Sequence, residues 1–279
     1  MNIRIIPKLD IKNHNLVKGI NLEGLRVLGN PRKFAETYYK EGADEIIYHD
    51  VVASLYQRNN LTSLIKNTSK NIFLPMLAGG GIKDINEVED ILKSGDDRIF
   101  LNTAVIDNPN IIDDIVKKFG SSTLVVSLEV IKSGNKFICR KDFGREETTK
   151  ELVSWIMEVE MRGAGEIIVT SIDKDGTGLG FDLTLAEKLS KNLKVPYILN
   201  GGISSIKQID DLLNCSNPSG LAIGSALHYS YIDQSFKKKD FMDGNIDFLK
   251  KNKHYRNFGK LKISNIKNYL KKKIKKWTI

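Results

Sequence analysis

The sequence has few cysteines and prolines and no long apolar run, and these shortages exclude several classes of protein. Only 2 of the 279 residues are cysteine, and Cys139 and Cys215 show no CxxC or Cys/His spacing, so neither a disulfide framework nor a zinc site is indicated. No apolar window approaches the roughly 18 residues of a membrane span, and the first residues lack the apolar core of a signal peptide. With 41% hydrophobic residues the chain is too apolar for a disordered protein. We expect a cytoplasmic protein with no metal, cofactor or membrane partner.

Most of the chain has no excess of basic charge, and the excess that the sequence contains lies near its end. The net charge is +9, but residues 232–279 hold 15 Lys and Arg against 4 Asp and Glu, whereas the other 231 residues hold 28 against 30. Apolar residues in this tail recur at helical spacing, which predicts a Lys-rich amphipathic helix over about 263–276. They are Ile263, Ile266, Leu270 and Ile274. A Lys-rich face of this kind is typical of a solvated surface, and no motif points to nucleic-acid binding.

Short β-branched runs alternate with helical patterns over the first 230 residues, which is typical of βα units around a parallel sheet. We predict eight strands: Arg4–Lys8, Glu45–Asp50, Ile72–Leu77, Arg98–Leu101, Thr123–Leu128, Glu166–Ser171, Pro196–Asn200 and Gly220–Ile223. Helical patterns between them include Pro31–Glu41, Ile85–Ser94, Pro109–Phe119, Thr148–Arg162 and Leu183–Asn192. Eight units favour a (β/α)8 barrel. A doubly wound open sheet is the alternative, and the lack of a GxGxxG after the first strand weakens it.

The chain also repeats itself at a nearly constant offset, which indicates two half-barrels of four units each. The matching pairs, in order, are Gly42–Ile46 with Gly163–Ile167, Gly80–Ile82 with Gly201–Ile203, Asp10 with Glu129, and Asn102–Ala104 with Gly224–Ala226. We therefore expect one barrel domain over 1–279, with an insertion at about 231–257 before the last helix.

The repeat has a chemical consequence, because the active sites of such barrels lie at the carboxyl ends of the strands. Glycines there allow backbone N–H groups to approach an anion, although they also simply permit tight turns. Two symmetric groups follow strands 3 and 4 and strands 7 and 8: Gly80, Gly81, Asn102 and Thr103 in one half, and Gly201, Gly202, Gly224 and Ser225 in the other. The symmetry predicts a long ligand with a phosphate at each end.

Two carboxylates, Asp10 and Glu129, end the first strand of each half and should face each other across the barrel mouth. A carboxylate pair in one cleft performs acid and base chemistry if its surroundings separate the two pKa values. The spacing alone is equally compatible with two salt-bridged acids at strand ends. Asp175 and Gly176, after strand 6, add a polar loop at the same rim.

Several segments together resemble the cyclase subunit of imidazole glycerol phosphate synthase over about residues 2–230, and again near 263–273. They are IIPKLDIKN…LVKG (Ile5–Gly19), GADEIIYHD (Gly42–Asp50), GGGI (Gly79–Ile82), LNTAV (Leu101–Val105), FGS (Phe119–Ser121) and GAGEIIVTSIDKDGTGLGFD (Gly163–Asp182). The related isomerase of the same pathway shares the repeat and the two phosphates but matches these motifs less well.

The resemblance implies a barrel whose substrate is a formimino-linked phosphoribulosyl nucleotide with two phosphates. In such enzymes a separate glutaminase subunit supplies ammonia along the barrel axis, and the products are imidazole glycerol phosphate and aminoimidazole carboxamide ribotide. By the same resemblance Asp10 and Glu129 are the catalytic acids, and Lys18 is a lysine of the mobile first loop. The gate of the ammonia path is implied to be a ring of Arg4, Glu45, Arg98 and Glu166.

The chain departs from the family pattern at the points that matter for chemistry. Glu129 stands at an aspartate position, Lys8 at a common cysteine position, Leu77 at a threonine position and Phe100 at a serine position. Two functions therefore remain open. One is the cyclase of histidine biosynthesis. The other is an ammonia-conducting partner of a glutaminase and a sugar amidotransferase, without cyclase chemistry, in acetamidino-sugar biosynthesis.

Overall fold

Eight parallel strands close into a barrel in the computed structural model, which describes residues 3–53, 61–68, 70–232 and 258–277. The barrel strands are β1 (Arg4–Lys12), β4 (Ile46–Asp50), β5 (Met76–Gly79), β6 (Arg98–Leu101), β7 (Leu124–Ser133), β10 (Glu166–Ser171), β11 (Tyr197–Asn200) and β12 (Gly220–Ile223). β1 pairs in parallel with both β4 and β12, and β7 with β10, so that the ring has no open edge. The predicted (β/α)8 fold is confirmed.

Helices follow the strands and cover the outside of the barrel. They are α1 (Pro31–Lys40), α2 (Leu61–Thr68), α3 (Ile85–Lys93), α4 (Thr103–Asp107), α5 (Asn110–Phe119), α6 (Leu152–Met161), α7 (Leu183–Asn192), α8 (Ile206–Cys215), α9 (Ser225–Tyr231) and α10 (Ile263–Trp277). Side-chain caps begin several of them; Asp84, for example, accepts hydrogen bonds from two backbone N–H groups at the start of α3. In the described parts of the chain, no helix combines the length and apolarity needed to cross a membrane.

The first strand of each half-barrel continues into a β-hairpin above the mouth. β1 leads into β2 (Asn15–Ile20) and β3 (Glu23–Gly29), and β7 leads into β8 (Lys136–Lys141) and β9 (Glu146–Glu151). The strand patterns in the sequence did not predict these four strands. The helix predicted from Thr148 is wrong at its start, because residues up to Glu151 pair with β8.

The third barrel strand also differs from its predicted range Ile72–Leu77. The ladder with β4 begins only at Met76, opposite Ile46, because Pro75 has no N–H and contributes only its carbonyl oxygen. The strand then runs on through Gly79. The glycine run therefore begins inside the barrel wall.

Alternation along the strands fills the barrel interior in layers, since every second residue points to the axis. An apolar layer receives one buried side chain from each of the eight strands: Ile6, Ile47, Leu77, Phe100, Val125, Ile168, Ile198 and Ala222. Two positions earlier lies a charged layer that includes Arg4, Glu45, Arg98 and Glu166. Two positions later lies a polar layer that includes Lys8, His49, Ser127, Thr170 and Asn200.

The C-terminal helix α10 packs on the barrel through its apolar stripe, with Ile263, Ile266 and Leu270 buried. Part of its basic face is ion-paired, since Lys267 Nζ lies 2.6 Å from Asp44 Oδ1 and Lys273 pairs with Asp210. The predicted insertion at 231–257 lies, apart from its first two residues, outside the described residues.

Phe100 packs closely against Gly79, and substitution of this glycine tests the packing of the barrel interior. A Cβ at residue 79 would stand 2.4 Å from the Phe100 carbonyl oxygen and 2.6 Å from its ring. We expect Gly79→Ala to lower the free energy of unfolding by more than about 2 kcal/mol, because backbone must move. Gly42→Ala is the control: it has a φ of +84° and open space around it, and should cost about 1 kcal/mol. Urea unfolding of both variants measures this, and equal losses would contradict the packing argument.

Candidate active site

Asp10 and Glu129 lie at the carboxyl-terminal mouth, both buried, on strands β1 and β7. Each stands on the inward-facing side of its strand, above the polar layer. The structure thus places the two predicted carboxylates at the same end of the barrel, and their surroundings decide what each can do.

Asp10 belongs to a buried chain of alternating charges. Its Oδ1 is ion-paired with Lys8, and its Oδ2 lies 2.7 Å from Lys18 Nζ. Lys18 Nζ is also 2.7 Å from Asp175 Oδ2. Four charged residues, each at most 4% exposed, therefore compensate one another. Pairing of this kind is what makes their burial tolerable.

The hairpin β2–β3 places Lys18 between the carboxylates of Asp10 and Asp175. Lys18 lies on β2 opposite Arg26, next to a register shift in the β2–β3 ladder, and the hairpin tip is held by a 2.8 Å hydrogen bond from Asn21 N to the Asp175 carbonyl oxygen. Gly176 makes the close approach possible, because a Cβ there would lie 2.2 Å from the Gly19 carbonyl oxygen. The hairpin thus covers the Asp175 side of the mouth.

The charges fix the ionisation of Asp10 and Lys18. Burial alone would raise the pKa of Asp10, but the ammonium groups of Lys18 and Lys8 outweigh it and hold that pKa well below its usual range. Burial alone would lower the pKa of Lys18, and the carboxylates of Asp10 and Asp175 instead raise it. Both groups stay charged at neutral pH.

Glu129 has a different environment. Its Oε2 accepts hydrogen bonds from Asn102 Nδ2 at 2.9 Å and from Gly144 N at 2.8 Å, and no described residue donates a hydrogen bond to Oε1. Burial raises the pKa of Glu129 from 4.5 to about 7, against the opposing charge of Lys8 and the Gly144 hydrogen bond. Glu129 therefore exchanges a proton near neutral pH, whereas Asp10 does not.

A cavity of about 370 Å³ opens beside Glu129 and contains the first predicted anion group. Gly80, Gly81, Asn102 and Thr103 all line it. The two side chains are already engaged: the Asn102 amide donates to Glu129, and Thr103 Oγ1 accepts a 3.0 Å hydrogen bond from the backbone N of Asp142. Anion binding here would therefore rest on the glycine backbone.

The residues of the second predicted anion group also line one cavity, but this cavity is much smaller than the first. Its cavity has a volume of about 10 Å³, which is room for about one water molecule. The lining includes the predicted residues Asp175, Gly176, Gly201, Gly202, Gly224 and Ser225. Phe258, which follows the insertion, also lines it and stacks on Tyr229 with ring centroids 5.1 Å apart. The Ser225 hydroxyl is buried and has no described partner.

At the opposite face, the four predicted gate residues form a closed ring of alternating charge. Arg4 bridges Glu45 at 2.7 Å and also pairs with Glu166. Arg98 bridges Glu166 at 2.7 Å and Glu45 at 3.5 Å. The ring lies directly below the apolar layer, at the amino-terminal end of the barrel axis.

Residues outside the predicted site also line the mouth. Lys8 and His49 occupy the polar layer, and Asp142 and Phe143 form a turn after β8 with left-handed φ values of 51° and 57°. Lys8 and His49 could have been found from the sequence, because they are polar residues within otherwise apolar strands. No pattern in the sequence indicated the turn at Asp142 and Phe143. Among the described residues, no group of three His, Cys, Asp or Glu side chains could hold a metal ion.

The raised pKa of Glu129 predicts a pH-dependent stability difference. A folded-state pKa above the unfolded value stabilises the fold at low pH, and this contribution is lost as pH rises from about 4.5 to 7. Glu129→Gln should therefore gain stability relative to the parent across that window, by up to about 3 kcal/mol, and then level off. Urea unfolding at several pH values measures the difference, and a difference that is constant from pH 4 to 8 would refute the assigned environment.

Comparisons with known proteins agree with this architecture. The sequence profile of the family described as histidine biosynthesis protein matches residues 4–233. The imidazole glycerol phosphate synthase subunit HisF of Legionella pneumophila is 46% identical over 210 residues, covering 75% of this chain and 99% of that protein. The subunits of the same name from Helicobacter hepaticus and Campylobacter concisus are 40% and 38% identical, covering 86% and 87% of this chain and 95% of each relative. The resemblance predicted from the motifs is thereby confirmed, and the chain belongs to the histidine biosynthesis protein family.

Proposed function

We propose that this protein is the cyclase subunit of imidazole glycerol phosphate synthase, a lyase of histidine biosynthesis. It takes ammonia from a glutaminase partner and converts the formimino-linked phosphoribulosyl nucleotide to imidazole glycerol phosphate and aminoimidazole carboxamide ribotide. The relatives carry this enzyme's name, and the observation that carries the proposal is the pair of unlike carboxylates in one mouth.

The two carboxylates then have separate tasks. Glu129, with a pKa of about 7, donates a proton to the ribulosyl oxygen as nitrogen attacks, so that this oxygen leaves as water. It takes a proton back from nitrogen when the ring closes and aminoimidazole carboxamide ribotide leaves. Asp10 stays anionic and, through its ion pair, keeps the Lys18 ammonium in the mouth beside the bound nucleotide. The two environments thus give proton transfer to Glu129 and the positioning of Lys18 to Asp10.

The axis below this mouth supports the ammonia route. The apolar layer contains no polar side chain, which favours passage of neutral ammonia over ammonium. The charged ring of Arg4, Glu45, Arg98 and Glu166 closes the lower end and would open when the glutaminase docks. Phe73, 77% exposed before β5 at this face, offers an apolar contact to that partner.

Removal of the Glu129 carboxylate tests the catalytic assignment. Glu129→Gln should reduce ammonium-dependent ring closure by about 10²-fold or more, because the proton donor is lost. Glu129→Asp should keep or raise the rate. Release of aminoimidazole carboxamide ribotide with ammonium chloride as nitrogen source measures both.

Glu147→Gln is the matched control, since this carboxylate on β9 is 81% exposed and, among the described residues, pairs with Arg140 alone. It should behave like the parent. Full turnover by Glu129→Gln would remove Glu129 from the mechanism.

Charge reversal in the ring tests the ammonia route. Arg98→Glu would place three carboxylates around Arg4, so we expect glutamine-dependent turnover to fall at least about tenfold while ammonium-dependent turnover stays within twofold. Arg162→Glu, which breaks ion pairs to Asp113 and Glu158 on the outer helices, controls for loss of charge. Equal losses with both nitrogen sources would contradict a gate.

Two observations favour a second candidate, the ammonia-conducting partner without cyclase chemistry. Both oxygens of Asp10 are already occupied by Lys8 and Lys18, and the second anion cavity is nearly filled beside Phe258. Assay of the wild type separates the candidates. A cyclase closes the ring with free ammonium, whereas a conduit shows no ring closure at saturating nucleotide but still stimulates a glutaminase.

A further inference from the structure

His49 stands at the upper end of the apolar layer, where nothing in the proposed chemistry yet uses it. It lies two residues beyond Ile47 of that layer, and its Cα is the strand partner of Asp10. Its ring meets the edge-on ring of Phe100, another member of the layer, with centroids 5.0 Å apart and an interplanar angle of 79°. A small molecule that leaves the layer at this point therefore meets the imidazole of His49 together with the other side chains of the polar layer.

The imidazole of His49 is buried without the hydrogen bonds that a purely structural histidine makes. Its Nδ1 has no described partner and lies 3.6 Å from Asp10 Oδ1, beyond hydrogen-bond length. His228 shows the contrast: its Nδ1 lies 2.5 Å from Tyr38 Oη, and its Nε2 lies 3.0 Å from the Lys8 carbonyl oxygen. His49 also lines the same cavity as Glu129. A residue that lines a cavity and has hydrogen-bonding capacity left over is suited to bind a ligand there.

A strained turn holds the imidazole in place. Phe143 packs on its other side at 5.3 Å, and both Asp142 and Phe143 adopt left-handed backbone conformations that non-glycine residues rarely take. The next residue, Gly144, donates the 2.8 Å hydrogen bond to Glu129. One turn thus fixes both His49 and Glu129, and strain of this kind is concentrated at functional sites.

The charge state of His49 matches an uncharged ligand. Burial and the neighbouring Lys8 ammonium lower the pKa of His49 to about 4, against the opposing effect of Asp10. The imidazole is therefore neutral at physiological pH and offers one acceptor nitrogen and one N–H. It accepts a hydrogen bond from an amine without giving it a proton, so that the amine keeps its nucleophilic lone pair.

We propose that His49 binds ammonia at the exit of the barrel axis and orients its lone pair toward the acceptor carbonyl beside Glu129. This inference rests on the proposed ammonia route and adds a nucleophile-binding residue to it. Lys8 contributes by repelling ammonium from the same place.

The test varies ammonium chloride at fixed pH, with the full-length protein and saturating nucleotide. His49→Phe keeps the aromatic packing and removes both nitrogens, so the KM for ammonium should rise about tenfold, as for one lost hydrogen bond, while the KM for the nucleotide stays within twofold. His49→Gln restores an acceptor oxygen and should recover part of the loss. His14→Phe, at an exposed position in the β1–β2 turn, should change neither constant.

Other kinetic outcomes overturn the inference. An unchanged KM for ammonium in both His49 variants would leave the residue a packing role only. A lower kcat with both KM values unchanged would assign it to proton transfer instead.

A second measurement does not depend on ring closure. In the ¹⁵N-histidine-labelled wild type at pH 9, where free ammonia is abundant, ammonium chloride should shift the His49 ring nitrogen resonances saturably, whereas equal sodium chloride should not. Loss of signals in His49→Phe assigns them. If the wild type closes no ring, the proposed cyclase function fails, and this shift still supports ammonia binding at His49. Absence of any ammonium-specific shift would overturn the inference, whether or not the enzyme turns over.

Discussion

The closed ring of parallel strands imposes one constraint on which everything else depends: every second residue of each strand must point at the axis. That alternation stacks a charged ring, an apolar layer and a polar layer in fixed order from one face to the other. A charged ring could not lie inside the apolar layer, because unpaired charge there would be too costly. A molecule that moves along the axis would therefore pass the charged ring, the apolar layer and the polar layer in that order before it reaches the mouth.

At the mouth, electrostatics separates two residues that occupy equivalent places in the two half-barrels. Two lysines contact Asp10 and lower its pKa. Glu129 has only one amide and one backbone N–H as hydrogen-bond donors, which do not offset its burial, so that its pKa rises to about 7. The backbone symmetry of the repeat is thus broken by side chains. The two anion groups diverge in the same way, with a cavity of about 370 Å³ on one side and about 10 Å³ on the other.

Much of this arrangement could be predicted from the sequence, because the period-two pattern and the internal repeat both follow directly from the chain. The offset between the halves placed Asp10 and Glu129 at the same end of the barrel, but both strands run further than predicted, to Lys12 and Ser133, because each continues into a hairpin. The errors lie where periodicity is ambiguous. Ile72 is apolar and buried yet precedes the strand, since Pro75 cannot donate to the ladder. Residues 148–151 read as the first turn of a helix but pair with β8, because a tertiary partner outweighs a weak local propensity.

The sequence by itself determined the eight-unit barrel, the repeat and the position of each carboxylate along its strand, since these depend only on spacing. Tertiary structure alone decided how the carboxylates differ. Lys18 reaches Asp10 only because a hairpin folds over the mouth, and Lys8 lies beside Asp10 on the same inward-facing side of β1. Only the tertiary structure places the rings of Phe100 and Phe143 against His49 and leaves its Nδ1 without a described hydrogen-bond partner. Ionisation and unpaired hydrogen-bonding capacity depend on which residues meet in space, and the spacing of a single sequence does not contain that information.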